Sequence, residues 1–269
     1  MNFTKYAKVF DIGLQNTFVY RWNFLLRSLF GFVPLVGTVL IWRAIFHERG
    51  AANIAGYDYR AMIWYFLLTV MADNLITPTE DEWQIAADIR EGQMSAFLVK
   101  PMNYLAYRLS LYGSYRLLYT VITIVPVGAL IWFFRGFVTL PASPVTWLLA
   151  ALSLAMAALI QFFVAYSLAM MAFWILEIST IVFILYSFEY FLSGHVFPLD
   201  IMPAWFQSTL RVLPFTYEMF FPISVFLGKA RGAELWSGLA IQAGWLALTW
   251  LAARTMFRRG VRHYQAVGG

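Results

Sequence analysis

The chain has 269 residues, no cysteine, 61% hydrophobic residues and only 12% charged ones, with a mean hydropathy of +0.68. No ordinary soluble domain has that composition, and the apolar residues come in long runs, so the chain reads as an all-α polytopic membrane protein with little room for a soluble domain. The missing cysteines exclude disulfides, cysteine-ligated zinc and thiol catalysis. The net charge of +5 gathers at the ends of apolar runs, where it orients spans rather than binding nucleic acid.

Residues 1–24 read as an interfacial amphipathic helix. Tyr6, Val9, Phe10, Leu14 and Phe18 recur at helical spacing, with Lys5, Lys8, Asp11 and Gln15 largely elsewhere. No small-residue cleavage site follows an apolar run there, so no cleaved leader is expected. Six spans are predicted at about 26–46, 61–77, 113–134, 146–172, 178–193 and 235–253, each near the about 20 residues that a bilayer demands. Six crossings put both ends on one side. Lys5, Lys8, Arg21, Arg90, Lys100, Arg108 and the cluster Arg254, Arg258, Arg259 and Arg262 fall there, which makes that side cytoplasmic by the positive-inside rule.

Between the second and third spans lies the one substantial cytoplasmic insertion, residues 79–101. Thr79 and Glu82 fit a capping box, and Glu80, Asp81 and Glu82 put negative charge at the positive end of a helix dipole. Ile85 and Ile89 share a face, and Gly92 is placed to end or bend the helix. Met94, Phe97 and Leu98 form a second apolar stripe before Pro101. Anionic lipid would repel the acidic first turn, so a protein partner suits this helix better than the bilayer surface.

Before the last span, residues 195–230 are apolar yet broken by Pro198, Pro203, Pro214 and Pro222 into pieces too short to cross. Such pieces are tolerated at membrane depth only where protein or water shields the backbone, so a re-entrant helical hairpin on the outer side is expected. Pro203 should start a helix ending near Leu213, with Phe206, Leu210 and Leu213 inward and Gln207, Ser208 and Arg211 opposite. Thr216 should cap a second helix that Pro222 disturbs. Trp205 and Phe206 suit either an interfacial aromatic belt or an outer gate.

Asp73, Glu177 and Glu189 are the acidic residues in or near spans, and such residues are functional candidates because burying a carboxylate is costly. Glu177 is expected in a solvated cytoplasmic turn. His47, His195 and His263 lack ligand spacing, so no metal site is expected, and no catalytic serine, histidine and carboxylate grouping is apparent.

The run Asp88-Ile89-Arg90-Glu91-Gly92, followed by Leu98 and Pro101, resembles the D-I-R-x-G…L-x-x-P pattern of permease subunits of ATP-binding-cassette exporters of the type-2 superfamily. Gly194, Phe197, Pro198, Leu199, Asp200, Pro203, Leu213, Pro214, Pro222 and Gly228 resemble the outer segment of the same family. The resemblance covers essentially the whole chain as a single transmembrane permease domain. It implies a bacterial cytoplasmic (inner) membrane protein that pairs with a second permease, a copy or a paralogue, and with separate ATPase subunits. Those partners would bind the ATP and magnesium, since this chain has no phosphate loop. It also implies that Glu82, Ile85, Asp88, Ile89, Arg90, Gly92, Phe97, Leu98, Pro101 and Glu177 belong to the ATPase-coupling face, and that Gly194, Pro198, Pro203, Trp205, Phe206, Pro214 and Pro222 shape the outer gate. A non-transporting membrane scaffold or immunity protein, and an intramembrane transferase, remain as alternatives.

Overall fold

The computed structural model describes residues 3–50, 53–76 and 81–264, so Thr79, one half of the expected capping box with Glu82, and Glu80 lie outside the described residues. Among them, all regular structure is helical: α1 (Phe3–Phe18), α2 (Arg21–Arg49), α3 (Tyr59–Ile76), α4 (Asp81–Arg90), α5 (Gln93–Leu98), α6 (Tyr104–Phe133), α7 (Pro144–Met170), α8 (Ser179–Leu192), α9 (Ala204–Leu210), α10 (Phe220–Phe226) and α11 (Gly232–His263). Four of these, α2, α6, α7 and α11, are long and apolar enough to cross a membrane by length and composition.

The other two expected spans take a different form. α3 has 18 residues and is apolar almost all round, the pattern of a helix buried on every side. Met62, Ile63, Tyr65 and Leu67 are fully buried, and residues of α2, α7 and α10 close around them. α8 has 14 residues, about 21 Å at 1.5 Å per residue, which falls short of a hydrocarbon layer of about 30 Å. It stops because the chain turns at Ser193 and Gly194 into the proline-broken segment. That segment fills the rest of the bundle's height at this place.

Contacts gather at two ends of the bundle. At one, the Asn103 backbone N–H donates to the Tyr6 hydroxyl at 3.0 Å, Arg90 meets Leu176, and Ser95 meets Tyr264. The first turns of α1, the α4–α5 pair, the α7–α8 turn and the end of α11 therefore lie together. At the other end, Arg60 and Trp64 of α3 donate to the carbonyls of Val138 and Thr139, and Tyr57, Asp200 and Lys229 meet. We call these the termini end and the loop end.

α1 ends at Phe18, where a turn at Val19 and Tyr20 leads into α2, so the first helix is shorter than the sequence suggests. It lies along the first turns of α6, with Gly13 on Ser114 and Phe10 on Gly113. Tyr6, Val9, Phe10 and Leu14 are partly covered as expected, but Phe18 is exposed.

Candidate functional site

At the termini end, α4 and α5 form a helical elbow. Gly92 makes the bend at φ +80°, ψ 0°, in the left-handed region that a side chain with a Cβ adopts only at a cost. Asp88 forms an ion pair with Arg108 of α6 and accepts from the Tyr104 hydroxyl at 2.8 Å. The Tyr104 hydroxyl in turn accepts from Arg108 Nε at 3.0 Å. Arg90 Nη1 donates to the Leu176 carbonyl at 3.1 Å, tying the elbow to the α7–α8 turn. The Phe97 ring meets Tyr104 edge-on with centroids 4.7 Å apart. The residues of the D-I-R-x-G run thus divide the work of the elbow: Asp88 pairs, Ile89 is buried, Arg90 tethers and Gly92 turns.

Three expected coupling residues face the wrong way for a partner. Ile85 and Ile89 pack into this chain's own core with Tyr104, Phe162, Phe163, Tyr166 and Met170. Glu82, with only 4% exposure, lies beside Tyr186 of α8. The amphipathic face of α4 is covered by the bundle itself, because α7 and the turn after it are already packed there. What remains outside is a rim: Leu98, Val99 and Pro101 from the elbow, and Trp174, Ile175, Leu176 and Glu177 from the α7–α8 turn. Val99 and Leu176 are each 84% exposed. The Ser179 backbone N–H donates to Glu177 Oε1 at 2.9 Å and holds its carboxyl below the usual range. His263 stacks on Trp174, bringing the basic end of α11 to the same rim.

At the loop end, the proline-broken segment folds as short pieces: a 3-10 turn at Leu199–Ile201, α9, a second 3-10 turn at Phe215–Tyr217, and α10. Pro203 stands just before α9 and starts it as expected. The helix ends at Leu210, and Leu210 is buried while Trp205 is 70% exposed. Three details differ from what the sequence suggests. Gln207, expected outward, turns in and donates to the carbonyls of Asp200 and Met202 at 3.1 and 2.7 Å, closing the turn that Pro198 opens. Thr216 donates back to the Leu210 carbonyl rather than capping a helix. Pro222 sits in the first turn of α10, where its missing N–H had no helical partner, so it does not disturb the helix. Pro214 starts the second 3-10 turn.

This segment is pinned deeply. Gly194, at φ +101°, leaves no room for a Cβ beside the Tyr65 hydroxyl, which donates to the Gly194 carbonyl at 2.7 Å. The Phe220 N–H donates to the Ser193 carbonyl at 2.9 Å. Gln242 donates to the Tyr217 carbonyl at 2.8 Å and to the Ser153 carbonyl at 2.9 Å. Gln242 lies about 15 Å along α11 from Gly232, about a third of that helix's length, so Tyr217 and the neighbouring Glu218 stand well inside the loop end. Over this, Asp200 accepts from Tyr57 at 2.9 Å and from Lys229 at 2.9 Å, and the Lys229 ammonium lies 3.1 Å from the Tyr57 ring centroid. Burial pushes the Lys229 amine below its usual range, with Asp200 opposing. Burial first, and Asp200 second, push the Tyr57 hydroxyl up.

Between the two ends lies a buried polar layer. Gln161 of α7 donates to Glu189 Oε1 at 2.8 Å. His195 joins Ser193 at 2.6 Å and Asp73 of α3 at 3.2 Å. Asp73, Asn74 and His195, with Ser28, Thr38 and Tyr190, line a cavity of about 290 Å³ between α2, α3 and α8. The serine, histidine and carboxylate do meet here, but the Ser193 hydroxyl is fully buried and bonded to the ring two residues away. Glu218, which the sequence reading did not single out, is 2% exposed. Its only sequence signal was an acid inside an otherwise apolar broken segment. Among the described residues, no group of three His, Asp or Glu side chains has the arrangement of a metal site.

No curated protein matches the sequence. A family model described as ABC-2 family transporter protein matches residues 32–268, which span the elbow, the polar layer and the broken segment. The chain belongs to the ABC-2 transporter family.

Proposed function

We propose that this chain is the membrane permease subunit of an ATP-driven exporter in the bacterial cytoplasmic membrane. Two such permeases, identical or paralogous, enclose the path, and separate ATPase subunits that bind ATP and magnesium drive it. The chain crosses the bilayer six times with both termini cytoplasmic, α3 shielded within the bundle and α8 completed by the re-entrant segment. The α4–α5 elbow is the coupling element, and its rim seats the ATPase.

The observation that carries this reading is the rim. Val99 and Leu176 are highly exposed apolar residues on two elements that Arg90 ties together, at the end that also bears the basic tail of α11. Exposed apolar patches rimmed by polar residues mark protein or membrane contacts, and the basic end of α11 and Glu177 at this rim suit a protein partner. A shift of the rim would reach α6 through Asp88 and Arg108, and α8 through the turn at Leu176. Charged substitutions there test the reading. Val99→Asp with Leu176→Asp, co-expressed with the phosphate-loop ATPase of the same gene neighbourhood, should abolish co-purification and stimulated ATP hydrolysis. The substituted chain should still insert and fold. Wild-type co-purification and stimulation in a folded double variant would overturn the assignment.

A further inference from the structure

The buried polar layer holds more acceptors than this chain can satisfy. Gln161 on α7, Glu189 on α8 and Glu218 before α10 are 2%, 9% and 2% exposed. After the single bond from Gln161 Nε2 to Glu189 Oε1, four atoms have no hydrogen-bond partner: Gln161 Oε1, Glu189 Oε2 and both oxygens of Glu218. All four are acceptors. Unpaired carboxylates in such a site each cost several kcal/mol, so the arrangement calls for an added positive charge or an added donor. The groups acting on Glu189 are His195 from the turn after α8, Asp73 from α3 and Glu82 from α4, and Glu218 feels Glu189. Tyr186 of α8 faces Glu82, Glu189 and Glu218 together. Among the described residues, no lysine or arginine is in that company.

We propose that Gln161, Glu189 and Glu218 form a binding site for one monovalent cation, a proton or an alkali metal ion, between the two ends of the bundle. A divalent ion held by carboxylates is the poorer fit, because three acidic or histidine side chains do not converge on one point among the described residues. The route in is the cavity beside α2 and α3, whose wall includes Asp73, Tyr190 and His195. His195 bonds Asp73 on the cavity side and is stacked on Tyr190 at 5.1 Å, one residue from Glu189. A proton entering by the cavity would bind one carboxylate oxygen, turning an unpaired acceptor into a donor and removing one negative charge from the site. An alkali ion would instead be ringed by the orphaned oxygens. Either makes the polar layer sensitive to pH or to the alkali ion, independently of any ATPase.

The test uses the purified full-length chain without partners, so it can fail while the permease reading stands, or hold if that reading falls. Dicyclohexylcarbodiimide modifies protonated carboxyls in apolar surroundings, and peptide mass spectrometry identifies the site. In N-methylglucamine buffer, Glu189 or Glu218 should be modified, with the yield falling severalfold from about pH 5.5 to about pH 8.5. If the ligand is an alkali ion, sodium or potassium should suppress modification severalfold at fixed pH; if it is a proton, they should not. No modification of either glutamate at any pH, or equal modification under every condition, would overturn the proposal. As a second measurement, the thermal midpoint of wild type should depend on pH or on the alkali ion, and Glu189→Gln with Glu218→Gln should remove that dependence. The same dependence in the double variant would also overturn it. Where the variant does not fold, the labelling of the wild-type chain decides.

Discussion

The elbow at the termini end and the broken segment at the loop end are both short apolar helices that cannot cross a bilayer, yet they are held in opposite ways. The elbow turns its apolar stripe inward, onto Tyr104 and Phe162, and leaves Val99 and Leu176 uncovered. Side-chain charges anchor it, through Asp88 to Arg108 and Arg90 to Leu176. The broken segment buries Tyr217, Met219, Phe221, Ile223 and Val225; its ion pair between Asp200 and Lys229 lies within the segment, and its anchors to the spans run largely to backbone, through Ser193, Gly194 and Tyr217. Such a difference separates a piece that is gripped from outside from one that is fixed within. Hydrogen bonds from span side chains to backbone carbonyls hold geometry without regard to charge, whereas a charge-anchored elbow can be levered as a unit.

Three perturbations should sharpen this contrast. The largest is Gly194→Val. A β-branched residue is strained at φ +101°, and its side chain would displace the Tyr65 hydroxyl. The loss should exceed about 2 kcal/mol and appear as poor recovery of monodisperse protein. Tyr65→Phe, which removes the bond but keeps the ring, should cost only about 1 kcal/mol. Near-wild-type recovery of Gly194→Val would mean that the segment is less fixed than its contacts indicate.

Next comes Asp88→Ala, which leaves the buried Arg108 without its carboxylate. Removing one partner of a fully buried pair costs about 3–5 kcal/mol, and Asp88 is 26% exposed, so about 2 kcal/mol is the better expectation. The change should lower the thermal midpoint and loosen the elbow while sparing the loop end. Hydrogen exchange in α4 and α5 should rise, with exchange in α10 unchanged. A uniform rise across both ends would contradict the separation drawn here.

The smallest effect concerns Lys229, whose folded-state amine titrates below its unfolded value. The unfolded chain then binds more protons between those two values, so stability rises with pH across that alkaline window, and the cost of burying the charge is fully present below it. Lys229→Met should flatten this alkaline rise. Thermal midpoints measured across the lysine range check it, and an unchanged slope would show that Lys229 is solvated.

Much of the fold is legible from local chemistry. Pro203 at a helix start, Gly92 at a bend and the long apolar runs of α2, α6, α7 and α11 depend on near neighbours in the chain, which sequence displays. What escapes depends on what covers a face. Ile85 and Ile89 announce an apolar stripe, but sequence does not say whether a partner or the bundle covers it. The bounds of α8 are legible, within a residue or so of 178–193, but the burial of α3 on every side is not, because it depends on which helices close around it. Glu218 and Glu82 approach the same tyrosine from segments far apart in sequence, and no spacing rule joins them. Gln207 resembles a surface residue because its turn-closing bonds go to carbonyls that only the fold brings near.

The contact of Gly13 with Ser114 also constrains how the chain is made. α1 leaves the ribosome before α6, and the surface it rests on is synthesised about a hundred residues later, a delay on the order of 5–20 s at ordinary translation rates. During that interval its apolar stripe has no protein to cover it. Only the headgroup region of the bilayer can serve as a temporary host, and the lysines at positions 5 and 8 suit an anionic surface. The amphipathic pattern of the first helix is therefore matched to two successive environments, a lipid one during biogenesis and α6 afterwards.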